Sequence, residues 1–321
     1  MNACGIALSP FSGMPIRDFV QLAREAEDAG LSGVFVPEAN NDALMCCHAI
    51  AAATRRITIG TWIVNIYLRQ PTLCAAGAAM VQEASDGRFI LGLGVSHRPA
   101  LQALGIEMGN ARDKLRSYVA SVRTTLSGEP IPGFGLRFRK PAKPIPIYFA
   151  ALAMETAQLG GEIADGLMLY LCPPERMRRS IAAARDHAVR HGRKPADLAI
   201  TMGLPVFLHD DRGRAIQAAR RGLSFYAALP FYNRLLAKSG FETEAARVLE
   251  AAAQRDATAM AAALTEPMID AMALLGPASR CVERLAEYRA AGAETPIIVP
   301  NPVGEDYAAC VRKLLRVFAN A

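Results

Sequence analysis

Apolar positions along the chain alternate between two rhythms: short unbroken runs, and longer stretches with an apolar residue at every third or fourth position. Gly5-Ile6-Ala7-Leu8 is the first run and ends at Ser9-Pro10. Ile16, Phe19, Val20, Ala23 and Ala26 follow at helical spacing, with Gly30 placed to cap the helix. Val34-Phe35-Val36 predicts a second strand stopped at Pro37, and Asp42 the N-cap of a helix running to about Thr54. Ile57 to Asn65 predicts a third strand, interrupted at Gly60, and Thr72 to about Ala84 an alanine-rich helix. Phe89-Ile90-Leu91, running into Gly92-Leu93-Gly94, is the fourth strand. A helix from about Ala111 to Ser127 precedes a proline- and glycine-rich stretch, Glu129 to Pro146. Ile147-Tyr148-Phe149 and Gly166 to Leu171 predict strands five and six with a short helix between them, and Pro174 to His191 a helix begun by proline. Leu198 to Leu208 and Thr295 to Val299 are strands seven and eight; Arg280 to Ala291 and Glu305 to Phe318 complete the helices.

Most of these strands are apolar throughout rather than alternating, which predicts a parallel sheet covered by helices. An even run of eight strand–helix pairs fits an α/β closed barrel, the (β/α)8 or TIM fold, better than an open doubly wound sheet. Residues about 212–275, between strands 7 and 8, are far too many for one crossover helix and predict a helical insertion over the barrel mouth. Residues 1–321 are accordingly expected to form a single domain.

The 321 residues are 52% hydrophobic and 21% charged, so the chain has ample material for a packed core and is not intrinsically disordered. No apolar run approaches the roughly 18 residues that a membrane span needs. Met1-Asn2-Ala3-Cys4-Gly5 has no basic region and no apolar run behind it, so no secretory leader and a cytoplasmic location are expected. The seven cysteines include the adjacent pair Cys46-Cys47 but no C-x-x-C or histidine-spaced set, which predicts reduced thiols and no metal site. The net charge of +6 is scattered; its main cluster, Arg176-Met177-Arg178-Arg179, falls in a helical pattern and reads as solvated. An anionic small molecule suits such a distribution better than nucleic acid.

In a barrel, reactive side chains come from the C-terminal ends of the strands. That rule nominates Ser9, Glu38, Asn65, Gly94 to His97, Ala150 to Ala153, Tyr170-Leu171 and Leu204-Pro205. The small side chains of Ala150-Ala151-Leu152-Ala153, at a strand–helix turn, allow backbone N–H groups to approach a phosphate, although packing explains such residues more often. Gly92-Leu93-Gly94 lacks the third glycine of a dinucleotide fingerprint. His97 follows strand four, where an imidazole suits proton transfer near neutral pH; a structural role is the competing reading. His48, His187 and His191 fall within helices, and His209 in a solvated loop. Arg69 and Arg98 are candidates for holding an anionic tail. Tyr226, Phe231 and Tyr232, with Met260 and Met268, form an aromatic and methionine-rich patch in the insertion, read first as helical core and second as a lid over an apolar substrate.

Three segments, ITIGTWIVNIYLRQP (57–71), AMVQEASDGRFILGLG (79–94) and PIYFAALAMETAQLGGEIADG (146–166), resemble the luciferase-like monooxygenase superfamily, and the resemblance covers nearly the whole chain. It implies a cis non-proline peptide at Trp62-Ile63 or one residue earlier, whose bulge presses on the central ring of a flavin; the tryptophan departs from the commoner small residue. It also implies a cofactor phosphate in the loop Ala150, Ala151, Leu152, Ala153, and cofactor contacts from Glu38, Asn65 and Ser96. Many relatives place an acid/base histidine directly after the acid. Here Ala39 and Asn40 follow Glu38, which leaves His97 as the catalytic candidate.

By the same resemblance, the leading expectation is a coenzyme F420-dependent oxidoreductase moving a hydride between the deazaflavin C5 and a small organic substrate. An FMN-dependent monooxygenase is the alternative on the same fold. A non-catalytic flavin-binding protein is the alternative of a different class, since the usual histidine is missing. The resemblance further implies a homodimer.

Overall fold

Short apolar segments that bury both faces pair in parallel, and here they close on themselves. The computed structural model describes residues 4–10, 13–38, 41–130 and 137–319. Among these residues the strands are β1 (Gly5–Ala7), β2 (Gly33–Val36), β3 (Thr58–Thr61), β4 (Val64–Asn65), β5 (Phe89–Gly94), β6 (Ile147–Ala150), β7 (Gly166–Tyr170), β8 (Ala199–Leu208), β9 (Leu274–Gly276) and β10 (Thr295–Pro300). Every pairing is parallel, and β10 joins both β8 and β1, so the sheet closes. Because β3 and β4 both pair with β5, they serve as one barrel strand, giving the ring of eight that the sequence predicts.

That third strand breaks at Trp62-Ile63, whose peptide is cis. The break is therefore not at Gly60, as the sequence suggested: Gly60 keeps register with Phe35 on one side and Ile90 on the other. Glycine is needed there because the Phe35 ring lies across it; a Cβ at position 60 would come within 2.6 Å of that ring. Phe35, Ala7, Met168 and Ile297 fill the barrel interior. Across the break, the Thr61 hydroxyl binds both the N–H and the C=O of Gly92 at 2.9 Å and so stands in for ladder bonds.

The outer wall is helical, and its ends follow local chemistry. Helix Ile16–Asp28 buries Phe19, Leu22, Ala23 and Ala26, and Gly30 behind it takes φ 87°. The Asp42 carboxylate accepts from Met45 N at 3.1 Å and starts helix Ala43–Ala53. The last helix starts at Tyr307 rather than Glu305, because Asp306 is its cap.

The insertion holds helices Arg212–Ala228, Pro230–Ala237, Glu242–Ala253, Ala257–Ala263 and Glu266–Met272. It returns to the barrel through β9, a three-residue strand that the periodicity did not disclose. β8 pairs with β7 as far as Gly203 and with β10 as far as Val206; its last residues, Val206 to Leu208, pair with Leu274 to Gly276 of β9. The seventh barrel strand thus overshoots the rim and ties down the far end of the insertion. No helix among the described residues is long and apolar enough to cross a membrane.

Candidate active site

The C-terminal rim of the barrel collects the nominated residues. Glu38 follows β2 with its side chain only 7% exposed. One of its oxygens accepts from Asn65 N at 2.8 Å, the other from Ala43 N at 3.4 Å, and Arg69 Nη2 lies 3.7 Å away. Burial nevertheless outweighs these partners and raises its pKa. Glu38 therefore braces the strand just past the cis step. Asn65, also buried, spends its side-chain oxygen on Tyr67 N at 3.0 Å. Ala39 and Asn40 lie outside the described residues.

Beyond the cis bond, Ile63 leans on the bare backbone of Gly94, where a Cβ would come within 2.6 Å of it, and that Cβ would also meet Ala150. The Trp62 indole crosses the interior toward β8, directly over Gly203; a Cβ there would overlap its Cζ2 and Cη2 atoms. From Trp62 an aromatic chain climbs into the insertion. Its ring centroid is 5.1 Å from that of Tyr170, edge-on, and Tyr170 stands 5.7 Å from Tyr226 and 6.0 Å from Tyr232. His97 closes the cluster, 5.5 Å from Tyr232. Its Nδ1 is buried with no hydrogen-bond partner, and burial lowers its pKa. Ser96 before it takes φ 60°, and Leu171, after β7, φ 49°; both are unusual for side-chain-bearing residues at a strand end.

Next to β5 on the rim, β6 ends at Ala150 and helix Met154–Ile163 begins after Ala153 with no side-chain cap. Ala151 N is already committed to Met168 O at 3.1 Å, so the free donors belong to the residues after it. Against this loop lies Arg176, from the first turn of helix Pro174–Arg190, and its Nη2 donates to Leu152 O at 3.3 Å. This corrects the reading of the Arg176–Arg179 cluster as solvated: Arg176 is 8% exposed, because the 150–153 loop covers it.

Glu38, Trp62, Ile63, Asn65, Ser96, His97 and Ala150 to Ala153 thus lie at the ends of four neighbouring barrel strands, β2, β3–β4, β5 and β6, or in the loops behind them. Arg69 is turned aside, held by Asp42 at 2.6 Å, while Arg98 opens an exposed turn of helix. The insertion patch splits. Tyr226 and Tyr232 join the rim, Phe231 lies under Arg234 at 5.0 Å, and Met268 is wholly buried in the insertion. The remaining histidines stay outside: His187 and His191 stack on each other, and His209 accepts from Asp211 N at 2.9 Å.

Sequence reasoning missed Gly203 and Arg176. A glycine inside an apolar strand run was the signal for the first, and an arginine just behind a barrel strand end was the signal for the second. Among the described residues no group of three or more His, Cys, Asp or Glu could hold a metal.

Residues 3–295 match the family model described as luciferase-like monooxygenase. A 5,10-methylenetetrahydromethanopterin reductase of Methanolobus tindarius is 26% identical over 301 residues, covering 90% of this chain and 92% of its own. The coenzyme F420-dependent tetrahydromethanopterin reductase of Methanopyrus kandleri superposes with a TM-score of 0.82 at 20% identity, over 98% of this chain and 97% of its own. An F420-dependent secondary alcohol dehydrogenase, solved with an F420–acetone adduct, superposes with a TM-score of 0.77 at 18% identity, covering 99% and 98%.

Proposed function

This chain belongs to the luciferase-like monooxygenase family, and from that premise we propose that it is a coenzyme F420-dependent oxidoreductase acting on a small organic substrate. The observation that carries the reading is near-full-length likeness to a methylenetetrahydromethanopterin reductase and to F420-dependent enzymes of the same fold. The rim fits such a group on two features of its own. The helix start at Met154 offers uncapped N–H donors beside small residues, as a phosphate needs, and the cis Trp62-Ile63 step, packed on the bare backbone of Gly94 and Gly203, lies where a ring would rest.

Coenzyme F420, when bound, supplies hydride exchange at C5 of its deazaflavin ring. The chain's part is positioning and protonation. The Trp62-Ile63 step would back the ring, and Glu38 holds that step in place through Asn65. The loop Ala150 to Ala153 would hold the phosphate end, and Ser96 sets the direction of the segment leading to His97. His97, half-buried and held neutral, exchanges a proton with the substrate heteroatom. Tyr170, Tyr226 and Tyr232 wall the space above and exclude water.

We read residues 1–321 as one working unit, with the insertion at 212–275 as its lid. Seven buried free cysteines support a reducing, cytoplasmic setting. A homodimer is supported by the outer wall. Helices Ala43–Ala53 and Pro71–Ala84 carry a single charged residue, Glu83, between them, and Met45, Leu73 and Met80 are 66%, 61% and 63% exposed. Helices facing water ordinarily carry a charged stripe, so a second copy of the same face is the fitting cover. A groove of about 540 Å³ on this wall, lined by His48, Met80 and Phe138, is remote from the rim chemistry.

Titrating the purified apoprotein with F420 and with FMN tests the reading. Saturable F420 binding followed by substrate-dependent change in the deazaflavin absorbance is the expected result. Tight FMN binding with no F420 binding would overturn it.

A further inference from the structure

A buried arginine is costly unless something neutralises it, and long charged side chains are almost never fully buried without a partner. Arg176 is buried, yet its one hydrogen bond is to a neutral carbonyl, Leu152 O at 3.3 Å. Its Nε is buried with no partner. The acid that bears on it, Glu155, acts only through space. Beside it, helix Met154–Ile163 begins without a side-chain cap, and Arg176 itself comes from the first turn of a second helix, capped only by Pro173. A guanidinium with spare donors, paired with no described carboxylate, and the positive ends of two helices therefore converge on one loop.

We propose that Arg176 is a positioning residue that binds the phosphoryl oxygens of the cofactor side chain, and that it sets the preference for a phosphorylated over an unphosphorylated deazaflavin. The inference rests on the cofactor reading above and goes beyond it by assigning the charge partner. A planar fork with an unpaired Nε–H suits bidentate recognition of a phosphoryl group and adds the full positive charge that the backbone donors lack.

The test compares two ligands that share the deazaflavin ring and ribityl chain: F420 itself, and the same deazaflavin alcohol lacking the phosphate. Dissociation constants are read from quenching of ligand fluorescence, so no turnover is needed. The wild-type protein is expected to prefer F420. Arg176→Met is expected to weaken F420 by about 10- to 100-fold while leaving the alcohol within about twofold. Should the Met variant fail to melt cooperatively by circular dichroism, Arg176→Gln, which keeps a donor for Leu152 O, supplies the same comparison. Equal loss of both ligands, or F420 affinity unchanged in a folded variant, would overturn the assignment. A wild-type protein that binds neither ligand would instead overturn the cofactor reading beneath it.

Discussion

Glu38 and His97 are two titratable groups that burial pushes toward neutrality, and they answer to different tests. Glu38 keeps Asn65 N–H supplied with an acceptor at 2.8 Å in a buried place. Glu38→Ala removes that acceptor, so a loss of about 1–3 kcal/mol in urea unfolding is expected. His97 has no such structural bond: its Nδ1 is unpaired and its ring lies against Tyr232. His97→Asn is expected to lower turnover by about 100-fold or more, with the F420 dissociation constant within about twofold; unchanged turnover would remove it from the chemistry. The pH profile gives a sign. Burial lowers the His97 pKa from the usual 6.5, so the neutral ring is the working form at pH 7. Activity falls as pH drops through that lowered value, and the acid limb of the wild-type profile lies below pH 6.5 and is absent in the variant. Folding stability follows the same direction, because between the two pKa values the unfolded chain binds more protons.

At the scale of elements, the barrel floor is an arrangement of bulk against bareness: Phe35 over Gly60, Ile63 over Gly94, Trp62 over Gly203. Gly203→Ala is expected to cost about 1–3 kcal/mol by forcing the indole aside. Trp62 is the only tryptophan, so its emission reports the displacement directly, and a Trp62→Leu background should recover most of the stability. An unshifted emission spectrum would contradict the packing. This scale also separates what was legible in the sequence from what was not. The long helices and most strands announced themselves through periodicity, and Asp42 and Gly30 marked helix ends by their chemistry. β9 and helix Arg98–Ala103 are too short for any period to register. The break in the third strand was marked by the family resemblance, which implied a cis peptide at Trp62-Ile63 or one residue earlier. The glycine in the pattern did not mark it, since Gly60 answers to Phe35 from a distant segment; the burial of Arg176 likewise depends on the 150–153 loop. Rim positions could be nominated because a closed barrel puts every strand end on one face; which of those side chains have free atoms is a matter of packing. Glu38 illustrates the gap: its place was foreseen, but its two oxygens serve the scaffold.

The molecule as a whole has a rim proposed for the chemistry and a flank proposed for pairing with a second copy. The candidate site lies at the rim, while helices Ala43–Ala53 and Pro71–Ala84, with Met45, Leu73 and Met80 exposed, lie around the flank. Leu73 and Met80 lie on one face of their helix, two turns apart, so Leu73→Glu with Met80→Glu places two charges along the proposed seam. Sedimentation equilibrium is expected to give a dimer for the wild-type protein and a monomer for the double variant. A wild-type monomer at micromolar concentration would refute the seam. The overshoot of β8 has a mechanical outcome of its own. Because the insertion leaves the barrel from the tip of that strand and comes back clipped to it through β9, it is anchored like a handle rather than hung from a single hinge. Access from solvent must then come by flexing of the span, not by swinging of the whole. Deuterium uptake should be slow at Leu274 to Gly276 and faster across Pro230–Ala237, and closing the passage should quieten the second stretch without touching the first.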